Sequence, residues 1–131
     1  MAFTMLIVDT VAIDDISTIV SIWYKAFCSP DMRRMFPDTP GVRKWWDETI
    51  RMDLLEKPQQ MYLKVMAEDE IVGYAKWDLC TTVDRYLPWH PDMDQDACNS
   101  LTTFTKKERD RVVGNKRYYC RQPVAITRSC D

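Results

Sequence analysis

The spacing of apolar residues changes from segment to segment along this chain, and the changes predict helices and strands in a definite order. Apolar residues three or four positions apart indicate helices, because residues at that spacing share one helix face. Short runs rich in β-branched and aromatic residues indicate strands. The predicted elements are a strand at 4–8, helices at 14–28 and 38–57, strands at 61–67 and 71–77, a helix at 94–113 and a strand at 118–127.

Proline and glycine residues indicate where the three predicted helices begin and end. Ser29-Pro30 ends the first helix, because a residue before proline disfavours helical backbone, and a polar loop follows. Pro40 lies in the first turn of the second helix, where its missing N–H is not needed. Gly114 stops the third helix. The apolar residues that this third helix is predicted to bury are Ala97, Leu101, Phe104 and Val112.

Two β-type runs joined by a short polar connection predict an antiparallel hairpin. The connection is Glu68-Asp69-Glu70, between the second and third predicted strands. In the last predicted strand, Pro123 cannot donate a backbone hydrogen bond, so we expect that strand to lie at a sheet edge or to be broken. The chain is therefore predicted to form a single α/β domain of the α+β kind over residues 1–131, with an antiparallel-rich sheet flanked by three helices.

Composition and charge exclude several classes of partner. With 131 residues, 46% of them hydrophobic, the chain suits one soluble domain with a substantial core. A formal net charge of -2 gives no reason to expect nucleic acid or an anionic membrane as a partner. Residues 1–13 are predicted to contain a strand and not a signal peptide, and no apolar run reaches the roughly 20 residues of a membrane helix. These features predict a cytoplasmic location.

The cysteines favour neither a metal site nor a disulfide framework. Their number is odd, they are widely separated, and the sequence contains no Cys-x-x-Cys pair and no Cys/His cluster. We therefore expect no metal ion, and cysteines that are buried or free thiols. The five are Cys28, Cys80, Cys98, Cys120 and Cys130.

Three segments form a combination that is more specific than any one of them alone. They are the opening strand, the helix from Asp14-Asp15-Ile16 to Trp23-Tyr24-Lys25-Ala26-Phe27, and the hairpin strand Ile71-Val72-Gly73-Tyr74-Ala75-Lys76-Trp77. Together they resemble the N-terminal half of GNAT-type acyl-CoA N-acetyltransferases, particularly fungal members. The resemblance covers residues 4–119. It implies a GNAT-like fold and transfer of an acyl group from acetyl-CoA to a small amine.

The segment that binds coenzyme A in that family has no counterpart here. The family uses an Arg/Gln-x-x-Gly-x-Gly/Ala turn, and the sequence from Cys120 onward contains none. Gly41, Gly73 and Gly114 are too scattered to form a cradle of backbone N–H groups for a pyrophosphate. We therefore expect a truncated GNAT-like domain with a divergent tail at 120–131. Acetyl-CoA is the cofactor that the resemblance implies, and the missing turn argues against it.

Acyl transfer to an amine needs a base that deprotonates the amine and groups that move protons, and three residues are candidates. Imidazole titrates near neutral pH, which suits His90 to the role of base, although a lone histidine between prolines is also typical of a structural residue. Asp78 comes just past the predicted hairpin strand, where a cleft is expected. Tyr119 can donate a proton, and packing is its alternative role.

Basic and aromatic residues are candidates for binding. Arg117 and Arg121 belong to a basic stretch that can attract the phosphates of coenzyme A as point charges, and a solvated helix face is the alternative. Trp89, in the proline-containing loop, is a candidate for a substrate pocket, together with Trp77 and Tyr74 on the hairpin strand. Aromatic residues at strand spacing are also typical of a core.

Three functions are compatible with this sequence. The first is an acetyltransferase-like protein, impaired in acetyl-CoA-dependent transfer to a small amine. The second is a non-catalytic module that binds partners or forms a homodimer through an exposed sheet edge, because an unpaired edge accepts a strand from another chain. The third is a cofactor-free enzyme that handles a small molecule in the remaining cleft, with His90 or Asp78 as its reactive group.

Overall fold

The described residues form a mixed α+β fold, which confirms the predicted fold class. The structure, a computed structural model, describes residues 4–79, 87–114 and 119–126, with the backbone alone for 79 and 119–126. No helix in these ranges is both long and apolar enough to cross a membrane. The strands are β1 (Leu6–Thr10), β2 (Gln60–Ala67), β3 (Glu70–Leu79) and β4 (Tyr119–Ile126). The helices are α1 (Ile16–Ala26), α2 (Pro30–Met35), α3 (Pro40–Glu56) and α4 (Gln95–Val113), and a 3-10 turn at Ile13–Asp15 leads into α1.

The strands of the described sheet pair antiparallel in sequence order, β1-β2-β3-β4. β2 and β3 form the predicted hairpin, in which Ala67 pairs with Glu70. Between them, Glu68 and Asp69 have φ angles of 50° and 68°. A two-residue turn with two positive φ angles matches the right-handed twist of the flanking strands. The polar connection therefore forms a tight turn, as the sequence predicts.

β4 lies at one edge of the described sheet, beside β3. The register shifts between Ala75 and Trp77 of β3, where Gln122 and Pro123 both lie opposite Lys76. A bulge of this kind leaves a residue outside the hydrogen-bond ladder. Pro123 thus lies at a bulge in an edge strand of the described sheet, where proline is tolerated, and the prediction of an edge or broken strand is confirmed.

α1 and α3 pack on one face of the sheet and form the main core. Their buried residues recur at helical spacing, so each helix turns one apolar face to the strands. Burying each large apolar side chain contributes roughly 1.5–3 kcal/mol. The core residues of these helices include Ile16, Ile19, Val20, Trp23 and Tyr24 of α1, and Val42, Trp45 and Ile50 of α3.

α3 begins and ends where the sequence predicts. The Thr39 hydroxyl oxygen accepts a hydrogen bond from the Val42 N–H at 3.2 Å, and Pro40 is the first helical residue. Glu56 is the last residue of the helix. These limits place the final turn of α3, which contains Asp53, over β2 and β3.

The opposite face of the sheet carries apolar side chains that α1 and α3 do not cover. Since strand residues alternate between faces, the pairing places Leu6, Val8, Leu63, Val65 and Trp77 together on this side. All of β1 is exposed, and Val8 is 64% exposed. β1 has a neighbouring strand on one side only within the described sheet.

The segment after α1 is helical, so the predicted polar loop and the count of three flanking helices were wrong. The Ser29 hydroxyl oxygen accepts a hydrogen bond from the Met32 N–H at 3.3 Å, and Pro30 is the first residue of α2. The same Ser-Pro pair that marks the end of one helix therefore caps the next. Six residues are too few to show a helical apolar period, which explains why the pattern missed α2.

The predicted burial of the apolar stripe on α4 was also wrong. Leu101, Phe104 and Val112 are 44%, 62% and 70% exposed, and Cys98 is the buried residue of this helix. α4 contacts α2 at its N-terminal end, where the Asp94 N–H donates to the carbonyl oxygen of Arg34 and Cys98 Sγ to that of Met35. An apolar period predicts a helix correctly, but it does not show whether other elements reach far enough to cover the stripe.

One cysteine differs from the prediction. Cys28 is disulfide-bonded. Cys98 is a free, buried thiol, as expected. Pairing between cysteines far apart in the sequence cannot be read from their spacing.

Candidate ligand-binding cavity

A cavity opens between the helices and the sheet face on which they pack. Its volume is about 150 Å³. Small-molecule sites are lined mostly by apolar and aromatic side chains. We call it the aromatic cavity, after the aromatic residues on its wall: Trp23, Phe36, Trp46, Tyr62, Tyr74 and Trp89.

The rings on the helical side of the cavity contact one another in a continuous cluster. The centroid of Trp46 lies 4.8 Å from that of Trp23 and 5.3 Å from that of Phe36. Phe36 and Trp89 meet edge to face at 6.4 Å. Aromatic pairs attract one another at these separations. Contacts among the protein's own aromatic side chains therefore hold this side of the cavity wall in place.

Two indole hydrogen bonds fix the loop before α4 against this wall. Trp45 Nε1 donates to the carbonyl oxygen of Pro88 at 2.8 Å, and Trp89 Nε1 donates to Asn99 Oδ1 at 2.8 Å. The rings of Trp45 and Trp89 lie 5.7 Å apart. Since each indole N–H has a partner, both rings are oriented as well as packed. Trp89 is thereby held at the cavity wall.

A buried carboxylate lies beside the sheet wall of the cavity. Asp53 is 0% exposed, and its Oδ2 accepts hydrogen bonds from Tyr62 Oη at 2.6 Å and Lys76 Nζ at 3.1 Å. Its Oδ1 lies 3.2 Å from Lys57 Nζ, an ion pair without hydrogen-bond geometry. A charge is tolerated in the interior when it is paired and hydrogen-bonded in this way. We call Asp53, Lys57, Tyr62 and Lys76 the Asp53 cluster.

Lys76 belongs both to the Asp53 cluster and to the cavity wall. Its side chain is 10% exposed. Burial lowers the pKa of Lys76 below its usual value, because an ammonium loses its hydration there, while the charges of Asp53 and Asp78 act in the opposite direction. The cavity therefore has an amine in its wall that releases its proton more readily than a surface lysine.

Thr49 adds a second polar group to the wall. The residue is 1% exposed, and within the described part of the chain its hydroxyl oxygen has no hydrogen-bond partner. Most buried hydroxyl groups are hydrogen-bonded, and leaving one unpaired costs about 1–3 kcal/mol. A ligand with a polar atom at this position would satisfy the hydroxyl.

The Cys98 thiol also lines the cavity but is suited to packing. Its Sγ donates to the carbonyl oxygen of Met35 at 3.6 Å. Burial raises the pKa of the Cys98 thiol, and the nearby charge of Asp94 adds to the effect. A thiol whose pKa is raised stays protonated and is a poor nucleophile.

The structure brings two of the three predicted pocket residues together. Tyr74 and Trp89 both line the aromatic cavity, from β3 and from the loop before α4. Trp77 is one residue beyond Lys76 in β3, so its side chain lies on the opposite face of the sheet. Asp78 is 3% exposed and lies on the same face as Lys76, but it is not part of the cavity wall.

His90 lies outside the cavity wall, at the start of α3. Its Nδ1 accepts a hydrogen bond from the Asp92 N–H at 3.1 Å, and Asp92 Oδ2 accepts one from the Thr39 hydroxyl at 2.9 Å. A Cβ at Gly41 would lie 2.6 Å from His90 Nε2, which shows how closely the ring approaches the helix backbone. These contacts attach the loop to α3, and catalysis by His90 stays a prediction.

The remaining predicted site residues lie on β4 or outside the described residues. Tyr119 pairs with Leu79, and Arg121 pairs with Trp77, through the backbone. Arg117 lies outside the described residues. In the described ranges, no three His, Cys, Asp or Glu side chains are grouped to hold a metal ion.

The sequence contains a signal for the Asp53 cluster, namely charged residues at inward positions, but apolar periodicity alone does not show what these charges pair with. Asp53 falls on the apolar stripe of α3, three residues after Ile50. Lys76 lies two residues after Tyr74 in β3, on the same inward face of the sheet. A charged residue at an inward position requires a partner of opposite charge from another element.

In comparisons with known proteins, no family model matches this chain and no curated protein is significantly similar in sequence.

Proposed function

We propose that this protein binds a small, flat, largely apolar molecule in the aromatic cavity, with a hydrogen-bond acceptor of the ligand directed to Lys76 and Thr49. The observation that carries the proposal is an aromatic wall that contains an amine and a buried hydroxyl with no partner in the described part of the chain. Apolar walls with a few convergent polar groups are typical of small-molecule sites. The proposal develops the third function that the sequence allows.

The charges around the cavity favour an acceptor group over a cation. Aromatic rings alone would also suit an organic cation. However, Lys76 is the only charged residue among the described residues of the wall, and its ammonium repels a ligand cation. Asp53 lies behind Lys76 and is already occupied by three partners. A carbonyl or carboxylate oxygen therefore matches the wall better than an ammonium does.

Calorimetric titration with 2-naphthoate tests this proposal. We expect saturable binding, and weaker binding of (2-naphthyl)methylammonium, which has the same rings and the opposite charge. K76M should weaken naphthoate binding by roughly 10–150-fold, because a hydrogen bond to a charged group contributes about 1.5–3 kcal/mol. T49V should weaken it less, since it removes a neutral hydrogen bond worth about 0.5–1.5 kcal/mol.

A matched pair of substitutions controls for indirect effects. Leu101 is half-exposed at the cavity, so L101W should fill the mouth and abolish binding. Leu55 is exposed on α3 and does not line the cavity, so L55W adds the same ring elsewhere and should leave binding unchanged. Equal binding by both variants, or preferential binding of the ammonium probe, would contradict the proposal.

A second candidate function, self-association, is favoured by the exposure of β1. Leu6, Ile7 and Val8 are more than half exposed, and β1 lies at an edge of the described sheet. An exposed apolar edge strand is suited to antiparallel pairing with the same strand of a second copy. This pairing would also join the two uncovered apolar faces into one surface.

Sedimentation velocity over a concentration series tests the second candidate. We expect a dimer whose Kd rises several-fold in V8K, because two like charges then approach across the paired strands. Val112 is 70% exposed on α4, so V112K introduces the same charge away from β1 and serves as the control. A protein that stays monomeric at the highest concentration, or equal effects of both substitutions, excludes pairing through β1. Acetyl transfer, which the resemblance implies, stays a prediction.

A further inference from the structure

We propose that Lys76 forms a reversible imine with an aldehyde or ketone bound in the aromatic cavity. The inference rests on the proposed function, because it requires that a small molecule enters the cavity. It goes further in naming the ligand class, a carbonyl compound with an aromatic or similarly flat body. The geometry behind it is an amine in the wall of an apolar cavity, within hydrogen-bond distance of a buried carboxylate.

The position of Lys76 distinguishes it from the other described lysines. Lys76 is the lysine in the cavity wall. Lys64 is also largely buried, but its Nζ pairs with Asp15 Oδ2 at 2.5 Å, outside the wall. Lys57 pairs with Asp53 and does not line the cavity either, and Lys44 is largely exposed on α3. Among the described residues, a bound carbonyl carbon therefore meets one amine.

The surroundings of Lys76 supply the groups that imine formation needs. Asp53 in the last turn of α3 and Lys57 just after that helix face it, and the Tyr62 ring on β2 lies 5.4 Å from its Nζ. On β3 itself, Asp78 shares its face of the sheet. Burial favours the neutral, nucleophilic form of the Lys76 amine over its ammonium form. A desolvated lysine amine is an established type of nucleophile.

The reaction balances without any oxidant or reductant. Lys76 Nζ gives a proton to Asp53 Oδ2, and its lone pair forms a C–N bond to the carbonyl carbon while the C=O π electrons move to oxygen. That oxygen takes one proton from the nitrogen and one back from Asp53, and it leaves as water as the nitrogen forms the C=N bond. Overall, an ammonium and a carbonyl compound give an iminium and one water. The positive charge is conserved, so Asp53 and Asp78 stabilise the iminium as they stabilise the ammonium.

Reductive trapping with 2-naphthaldehyde tests the inference on the full chain. The protein is incubated with the aldehyde and sodium cyanoborohydride at neutral pH, and the adduct is located by peptide mapping. We expect one naphthylmethyl group, on Lys76, and loss of labelling when 2-naphthoate competes for the cavity. K76R keeps the charge near Asp53 but cannot form an imine under these conditions, so it should lose the adduct. K64R is the matched control and should retain it.

The outcomes separate this inference from the proposed function. Label spread over exposed lysines and the N-terminal amine, without enrichment at Lys76, overturns the imine. If 2-naphthoate and (2-naphthyl)methanol bind in calorimetry while Lys76 is not trapped, the cavity binds ligands and the imine inference fails. If neither compound binds, the proposed function fails as well. Site-selective trapping in wild type and K64R, with none in K76R, supports both.

Discussion

Replacing Asp53 by alanine is expected to lower the free energy of unfolding by about 3–5 kcal/mol, the range found when one partner of a buried ion pair is removed. The substitution leaves Lys57 and Lys76 without the carboxylate between them, and the Tyr62 hydroxyl without its acceptor. In the wild-type protein, Asp53 offsets the cost of burying these groups. In D53A they are buried without that partner. Urea denaturation measures the change, at constant m-value.

Two further variants establish the cause of the D53A effect. Asp47 lies on the same helix in an exposed pair with Arg51, so D47A should change stability by no more than about 0.5 kcal/mol. Replacing Asp53, Tyr62 and Lys76 together by Leu, Phe and Met removes both the acid and its main partners, and should restore part of the loss. Equal costs for D53A and D47A would show that the Asp53 cluster is not buried as described.

Replacing Trp23 by alanine is expected to cost about 3–5 kcal/mol, typical of removing a buried aromatic side chain. Trp23 is 6% exposed, and its ring lies within 5.4 Å, centroid to centroid, of the rings of Tyr24, Phe27, Phe36 and Trp46. The loss includes the apolar surface of the ring and the contacts that the neighbouring rings no longer make. Since Trp23 also lines the cavity, ligand binding should weaken in parallel.

The exposed Phe104 provides the control for W23A. Phe104 is 62% exposed on α4, so F104A should change the unfolding free energy by about 0.5 kcal/mol or less. Thermal unfolding of the two variants, monitored by circular dichroism, makes the comparison. A cost for F104A that matches that of W23A would mean that α4 is covered and that the aromatic cluster is not the centre of the core.

The sequence was sufficient to predict the elements whose signals are local. α3 is an example: Thr39 caps it, Pro40 opens it and its apolar residues recur at helical spacing. The hairpin likewise follows from two β-type runs and a short polar turn. Such signals lie within a few residues of the structure that they determine, so a single sequence contains them in full.

The contacts that make the cavity are long-range, and local patterns do not specify them. Asp53 and Lys76 meet across 23 residues, and Trp45 reaches Pro88 across 43. Trp46 lies next to Trp45 in the sequence, and nothing local shows that it forms part of the cavity wall. The exposed stripe of α4 has the same origin, because a helical period shows which residues share a face but not what covers that face.

The most direct test of the cavity is a titration followed through the indole N–H signals of the five tryptophans. The signals are assigned by single Trp-to-Phe substitutions in ¹⁵N-labelled protein, and 2-naphthoate is then added. Trp23, Trp46 and Trp89 line the cavity, whereas Trp77 lies on the opposite face of the sheet. We expect saturable shifts of the first three signals and a stationary Trp77 signal. Shifts at Trp77 alone, or no saturable shift at any tryptophan, would contradict the claim that this cavity binds a small molecule.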